Sequence, residues 1–80
     1  MNWIDLEVEK QLQYALNKHG KEPWSRHEFY GILREEFEEV WEAIKLDQPV
    51  GLLNKEIYQV MAVCKRYLEI GDKNAKKKEK

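Results

Sequence analysis

At 80 residues, with 42% hydrophobic and 36% charged side chains and few Gly or Pro, the sequence describes one helix-rich domain rather than a disordered chain, and one too short to hide a large core as a monomer. The net charge of −1 is divided unevenly: residues 1–72 hold nine basic against fourteen acidic side chains, whereas KNAKKKEK at 73–80 holds five lysines and one glutamate. No apolar run approaches the ~18 residues of a membrane span, and MNWIDLEVEK lacks the basic start and apolar core of a signal peptide, so the expected setting is the cytoplasm, with no membrane partner.

Three helices are expected in chain order. The first, Trp3 to Lys18, sets Ile4, Val8, Leu12, Ala15 and Leu16 on one stripe and stops near Gly20. The second has the clearest start: in PWSRHEF, Ser25 is an N-cap, Glu28 completes a capping box and Trp24 staples onto Phe29. It runs to about Leu46, and DQPVG then forms a turn around Pro49 and Gly51. The third runs from Leu52 to Ile70 and ends at Gly71. Its single cysteine, Cys64, has no partner for an internal disulfide or a CxxC zinc site and reads as a small apolar side chain. No segment alternates as a strand does. The expected fold is therefore all-α, a three-helix up-and-down domain over residues 1–72, followed by a basic disordered tail over 73–80 to which no function is assigned.

LREEFEEVWEAI crowds five glutamates into eight positions, and a helical wheel separates them. Taking about 100° per residue, Glu36 falls inside an apolar stripe of Phe29, Leu33, Phe37, Val40 and Ile44 on one side and Ile32 and Ala43 on the other. Glu39 lies at its edge with Glu35 beyond, while Glu38 and Glu42 point to solvent. The third helix repeats the pattern: Glu56 sits among Leu52, Leu53, Val60, Val63, Cys64, Tyr67 and Ile70, with Gln59 at the matching edge and Arg66 farther along it. A carboxylate among apolar side chains persists only when neutralised, hydrogen-bonded or cation-bound. Two of them on facing helices, each with an oxygen-bearing partner three residues on, form a donor set for a hard divalent cation, Mg²⁺ or Mn²⁺. No ExxH pair points to a di-iron bundle. The plainer reading pairs these acids with Arg34, Lys55, Lys65 or Arg66, which suits Glu35, Glu38 and Glu42 better than Glu36 and Glu56.

LREEFEEVWEAI followed by NKEIYQVMAVCKRYLE resembles the MazG-like all-α nucleoside triphosphate pyrophosphohydrolases, whose pattern is EExxE on one helix and ExxD on the next. The resemblance spans about residues 26–70. It implies that Glu36, Glu39 and Glu56 are metal ligands and Glu35 the leading glutamate, and it places Gln59 where most of the family carries aspartate, one negative charge fewer. It further implies Mg²⁺-dependent hydrolysis of a (deoxy)nucleoside triphosphate to monophosphate and pyrophosphate, with Glu35 or Glu39 orienting or deprotonating the attacking water, and assembly into homodimers or homotetramers. Candidate phosphate contacts are Lys55 and Arg66, with Lys45 a third. Trp24, Trp41, Tyr30 and Tyr58 read chiefly as packing residues, and His19 and His27 as local hydrogen-bonding groups, leaving base recognition unassigned.

The alternative function is a noncatalytic helical module that keeps the scaffold and has lost turnover through Gln59. Specific nucleic-acid binding is disfavoured, because the second and third helices carry too much acid to lie against phosphate.

Overall fold

Helix α1 (Trp3–His19) begins at Asn2, whose side chain accepts from the Asp5 N–H, and closes at Gly20, where φ of +79° suits a residue without a Cβ. Helix α2 (Arg26–Lys45) starts with the expected capping box: Ser25 Oγ accepts from the Glu28 N–H, and Glu28 accepts from the Ser25 N–H at 2.8 Å. That bond holds the Glu28 carboxyl below its usual range. The Trp24 and Phe29 rings stack 6.4 Å apart, which forms the staple. Helix α3 (Val50–Ile70) ends at Gly71, with φ of +101°. These elements come from a computed structural model that describes residues 2–74; the expected basic tail lies, from residue 75 on, outside the described residues. No strand occurs among them, and no described helix is long and apolar enough to cross a membrane.

The second turn differs from expectation. Pro49 acts as the N-cap of α3, so Val50 and Gly51 are already helical, and the reversal falls on Leu46–Gln48. Asp47 supplies it by taking φ of +53°, a conformation that short polar side chains tolerate. Pro is well suited to this boundary, since its fixed φ fits a helix start and the missing N–H is one the first turn would leave unpaired.

Helices α1 and α3 run parallel and α2 runs antiparallel to both, as the pairs Gln11–Gln59, Gly20–Arg66 and Phe29–Tyr67 show. Val8 and Leu12 pack on Ala62, flanked by Leu16 and Tyr58, and Ala62 is small enough to let α1 approach closely. Both α1 and α2 lie on α3, but they do not pack on each other. The result is a cleft between α1 and α2 with α3 as its floor.

One end of the cleft is shut by the α1–α2 loop. Arg66, expected at the edge of the α3 stripe, is instead 1% exposed. Its Nη2 donates to the carbonyls of Gly20 (2.6 Å) and Glu22 (2.9 Å), and its guanidinium lies 3.8 Å from the Trp24 ring centroid. A wheel drawn on α3 alone cannot see a loop arriving over its edge. Beyond Gly71 the chain is clasped to the same loop: the Lys73 N–H donates to the Trp24 carbonyl, and the Tyr67 hydroxyl and Arg26 guanidinium both donate to Asp72.

A second correction concerns α2. Phe37 (55% exposed) and Ile44, placed by the wheel within the buried stripe, face outward and join Tyr30 and Trp41 in an uncovered apolar face. The helix is turned so that Glu36 and Ala43, not the middle of the apolar arc, meet α3.

Candidate metal centre

The acids converge in the cleft. One carboxylate oxygen from each of Glu36, Glu39 and Glu56 lies within 4.8 Å of the other two. Residues 36 and 39 stand one turn apart on α2, and Glu56 meets them from the antiparallel α3, so the convergence follows from helix pitch and pairing. Glu36 is 8% exposed, Glu56 half-buried and Glu39 open to solvent. The sequence reading singled out the two carboxylates of this set that lose most hydration.

Their protonation follows from that placement. Burial, then the negative charges of Glu39 and Glu56, push the Glu36 carboxyl up to about 7 despite the opposing charge of Lys18. Glu56 is also raised, first by burial and then by hydrogen bonding to and repulsion from Glu39, with Lys55 acting in the other direction. Both groups therefore take up a proton more readily than ordinary glutamates, and a divalent cation would compete with that proton.

Gln59 closes the set. One end of its carboxamide lies 3.1 Å from Glu36 Oε1 and 3.0 Å from Glu56 Oε1. With nitrogen at that end, the amide donates to both carboxylates and holds the cluster without a metal. With oxygen there, the other end donates to Gln11 Oε1 at 3.2 Å, and the amide oxygen faces two carboxylate oxygens, a contact that a shared proton or a cation would relieve. In the nitrogen-inward arrangement the Gln59 oxygen faces Gln11, whose own amide turns to donate to it. The donor set thus fits a hard, oxygen-seeking ion such as Mg²⁺ or Mn²⁺, which Glu36, Glu39, Glu56 and the Gln59 carbonyl would hold.

The opposite wall was not legible in the sequence. Gln11, Tyr14, Lys18 and His19 project from α1 into the same 160 Å³ cavity, whose floor is Glu56, Gln59 and Val63. These four positions follow helical spacing, but nothing in α1 alone distinguishes a cleft wall from a solvated face. The His19 imidazole is held below its usual pKa, mainly by burial and then by Lys18 and Arg66, which outweigh Glu35, so it is neutral at pH 7.

Other expected site residues fall elsewhere. Glu35 is exposed and does not line the cavity. Lys55 borders a separate hollow with Trp3, Asn54 and Tyr58. Arg66 spends its charge on loop carbonyls beneath Trp24, and Lys45 lies beside Glu42 and the Trp41 ring. Comparison with protein-family models, curated proteins and solved structures finds no match for this chain.

Proposed function

We propose that this domain is a Mg²⁺-dependent, MazG-like nucleoside triphosphate pyrophosphohydrolase that acts in the cytoplasm on (deoxy)nucleotides, in keeping with house-cleaning of the nucleotide pool. The observation that carries the reading is the convergence of Glu36, Glu39 and Glu56 with the Gln59 carboxamide in a cleft open to a ligand. Mn²⁺ would serve in place of Mg²⁺.

In this reading Glu36, Glu39, Glu56 and Gln59 would hold the cation from α2 and the floor. The bound ion would supply charge neutralisation for the polyphosphate and acidify a water. Glu39, exposed at the cleft mouth and within reach of the same centre, orients that water and accepts its proton. Glu35 is the weaker candidate for this role because it lies outside the cavity. The water oxygen bonds to the α-phosphorus while the bond to the α–β bridging oxygen breaks, giving the monophosphate, pyrophosphate and one proton. The apolar face of Tyr30, Phe37, Trp41 and Ile44 suits contact with a second copy, and a homodimer or homotetramer belongs to the same reading. Light scattering at micromolar concentration checks this assembly; a monomer would remove it.

A panel of nucleoside triphosphates assayed for pyrophosphate release with Mg²⁺ and with Mn²⁺ tests the activity. Release that depends on the metal and disappears in Glu36→Gln is the expected result. A second reading rests on the other Gln59 orientation: with its nitrogen bonded to Glu36 and Glu56 the cluster is satisfied without metal, as suits a noncatalytic scaffold. Metal-independent stability and no turnover with any nucleotide would favour it.

A further inference from the structure

The geometry points to Lys18 as the residue that anchors the phosphates of the substrate, from the α1 wall opposite the acids. This rests on the reading of the cleft as a triphosphate site and adds to it the side chain that meets the polyanion.

Three observations single it out. Among the described residues, Lys18 is the one lysine or arginine lining the cavity that holds Glu36, Glu39 and Glu56. It forms no ion pair with another described residue, whereas Lys10, Arg26, Lys45 and Lys65 each hold a carboxylate. It also stands across the cavity from the acids, on the wall that α1 contributes. The acid wall repels phosphate on its own. A divalent ion held there would cut the three carboxylate charges to a net of one and offer the phosphate oxygens a direct ligand, and an ammonium on the facing wall would then grip a polyphosphate from the other side.

The alternatives at hand do not fill this role. The Arg66 guanidinium is covered by Trp24 and already donates to two carbonyls. Lys55 opens onto the neighbouring hollow. Lysine suits a mobile polyphosphate, since its point charge sits on a flexible stem and demands no fixed geometry. Tyr14, exposed on the same wall one turn earlier, lies where the rest of a nucleotide would pass.

The test compares wild type, Lys18→Gln, Lys18→Arg and Lys55→Gln by calorimetric titration with three probes: Mn²⁺ alone, inorganic tripolyphosphate with Mn²⁺, and with Mn²⁺ a nucleoside triphosphate carrying methylene at the α–β bridge. Lys18→Gln is expected to bind Mn²⁺ alone within about threefold of wild type and both polyphosphates at least about tenfold more weakly, a tenfold loss being ~1.4 kcal/mol. Lys18→Arg should recover most of the affinity, and Lys55→Gln should stay within about twofold. Equal polyphosphate affinity in wild type and Lys18→Gln overturns the proposal, and so does a parallel loss of Mn²⁺ itself, which would make Lys18 a support for the metal wall. Wild type that binds Mn²⁺ but neither polyphosphate refutes Lys18 and the substrate while leaving the metal centre. Wild type that binds none of the probes refutes both readings together.

Discussion

Arg66 and Glu36 are both charged, both buried and both packed at an edge of α3, yet they have opposite surroundings. Arg66 has fixed partners: two loop carbonyls accept from Nη2, and the Trp24 ring covers the guanidinium. Glu36 faces two further carboxylates, and the amide that reaches it can present either end. A buried charge whose partners belong to the backbone of its own fold acts as a tie. One surrounded by like charges is relieved from outside its own fold's backbone, by a proton, by the Gln59 amide or by a cation.

Breaking the tie should have the largest effect. Arg66→Ala strands the Gly20 and Glu22 carbonyls and opens a void under Trp24, and a loss of about 3 kcal/mol is expected in urea unfolding followed by tryptophan fluorescence. Arg66→Met sharpens the comparison. It keeps the volume against the ring and removes Nε and Nη1, which have no partner among the described residues, so it should cost less than Ala. A stability equal to wild type in Arg66→Ala would show that the loop is held by Trp24 alone.

Glu36 should respond to pH in the opposite sense from an ordinary salt-bridged carboxylate. Its folded-state pKa, about 7, stands above the ordinary 4.5. Its contribution is thus fully present below about pH 4.5 and is lost as pH rises through 7. Without metal, wild type should lose on the order of 2 kcal/mol between pH 5 and pH 8 from this group, and Glu36→Gln should flatten that slope. Millimolar Mn²⁺ should restore stability at pH 8 and do little at pH 5, where the proton already occupies the site. Thermal melts in chelator and in Mn²⁺ at the two pH values test both statements. A wild-type profile superimposable on that of Glu36→Gln would remove the idea that Glu36 is under electrostatic stress.

The same two residues mark what the sequence could tell. The odd placement of Glu36 was readable because apolar residues flank it on both sides of the wheel, and the Ser25–Glu28 box fixes where α2 starts. The burial of Arg66 was not, since its cause is a loop 44 to 46 residues away along the chain. The α1 wall was hidden for a related reason. Lys18 and Tyr14 acquire a setting only once α1 and α2 rest on α3 without touching each other. The outward turn of Phe37 and Ile44 shows the limit of the wheel itself: it orders residues around a helix, but neighbouring helices choose which part of a wide apolar arc is covered.

Gln59→Asp tests the acid side of the comparison with a smaller change. The substitution replaces the amide by a fourth carboxylate and removes the nitrogen able to donate to Glu36 and Glu56 without metal. Mn²⁺ affinity at pH 8 should rise about tenfold, while the metal-free protein should be less stable than wild type at that pH through added repulsion. Calorimetric titration and a melt in chelator measure the two effects. Unchanged affinity would place residue 59 outside the ligand set.

The smallest effects should come from the two glutamates of the same stretch that point to water. Glu38 is exposed with no partner among the described residues, and Glu42 makes only a 3.7 Å contact with Lys45 in which both side chains stay hydrated. Neither shares the Glu36 centre. Glu38→Gln and Glu42→Gln should each alter stability by less than about 0.5 kcal/mol, because an exposed helical ion pair contributes little against the hydration it competes with. Mn²⁺ affinity should stay within about twofold, since both side chains are exposed and solvent screens their charge before it reaches the centre. A loss as large as that of Glu36→Gln in either variant would mean that total negative charge draws the cation to α2. Placement within the cleft would then not be what sets these five glutamates apart.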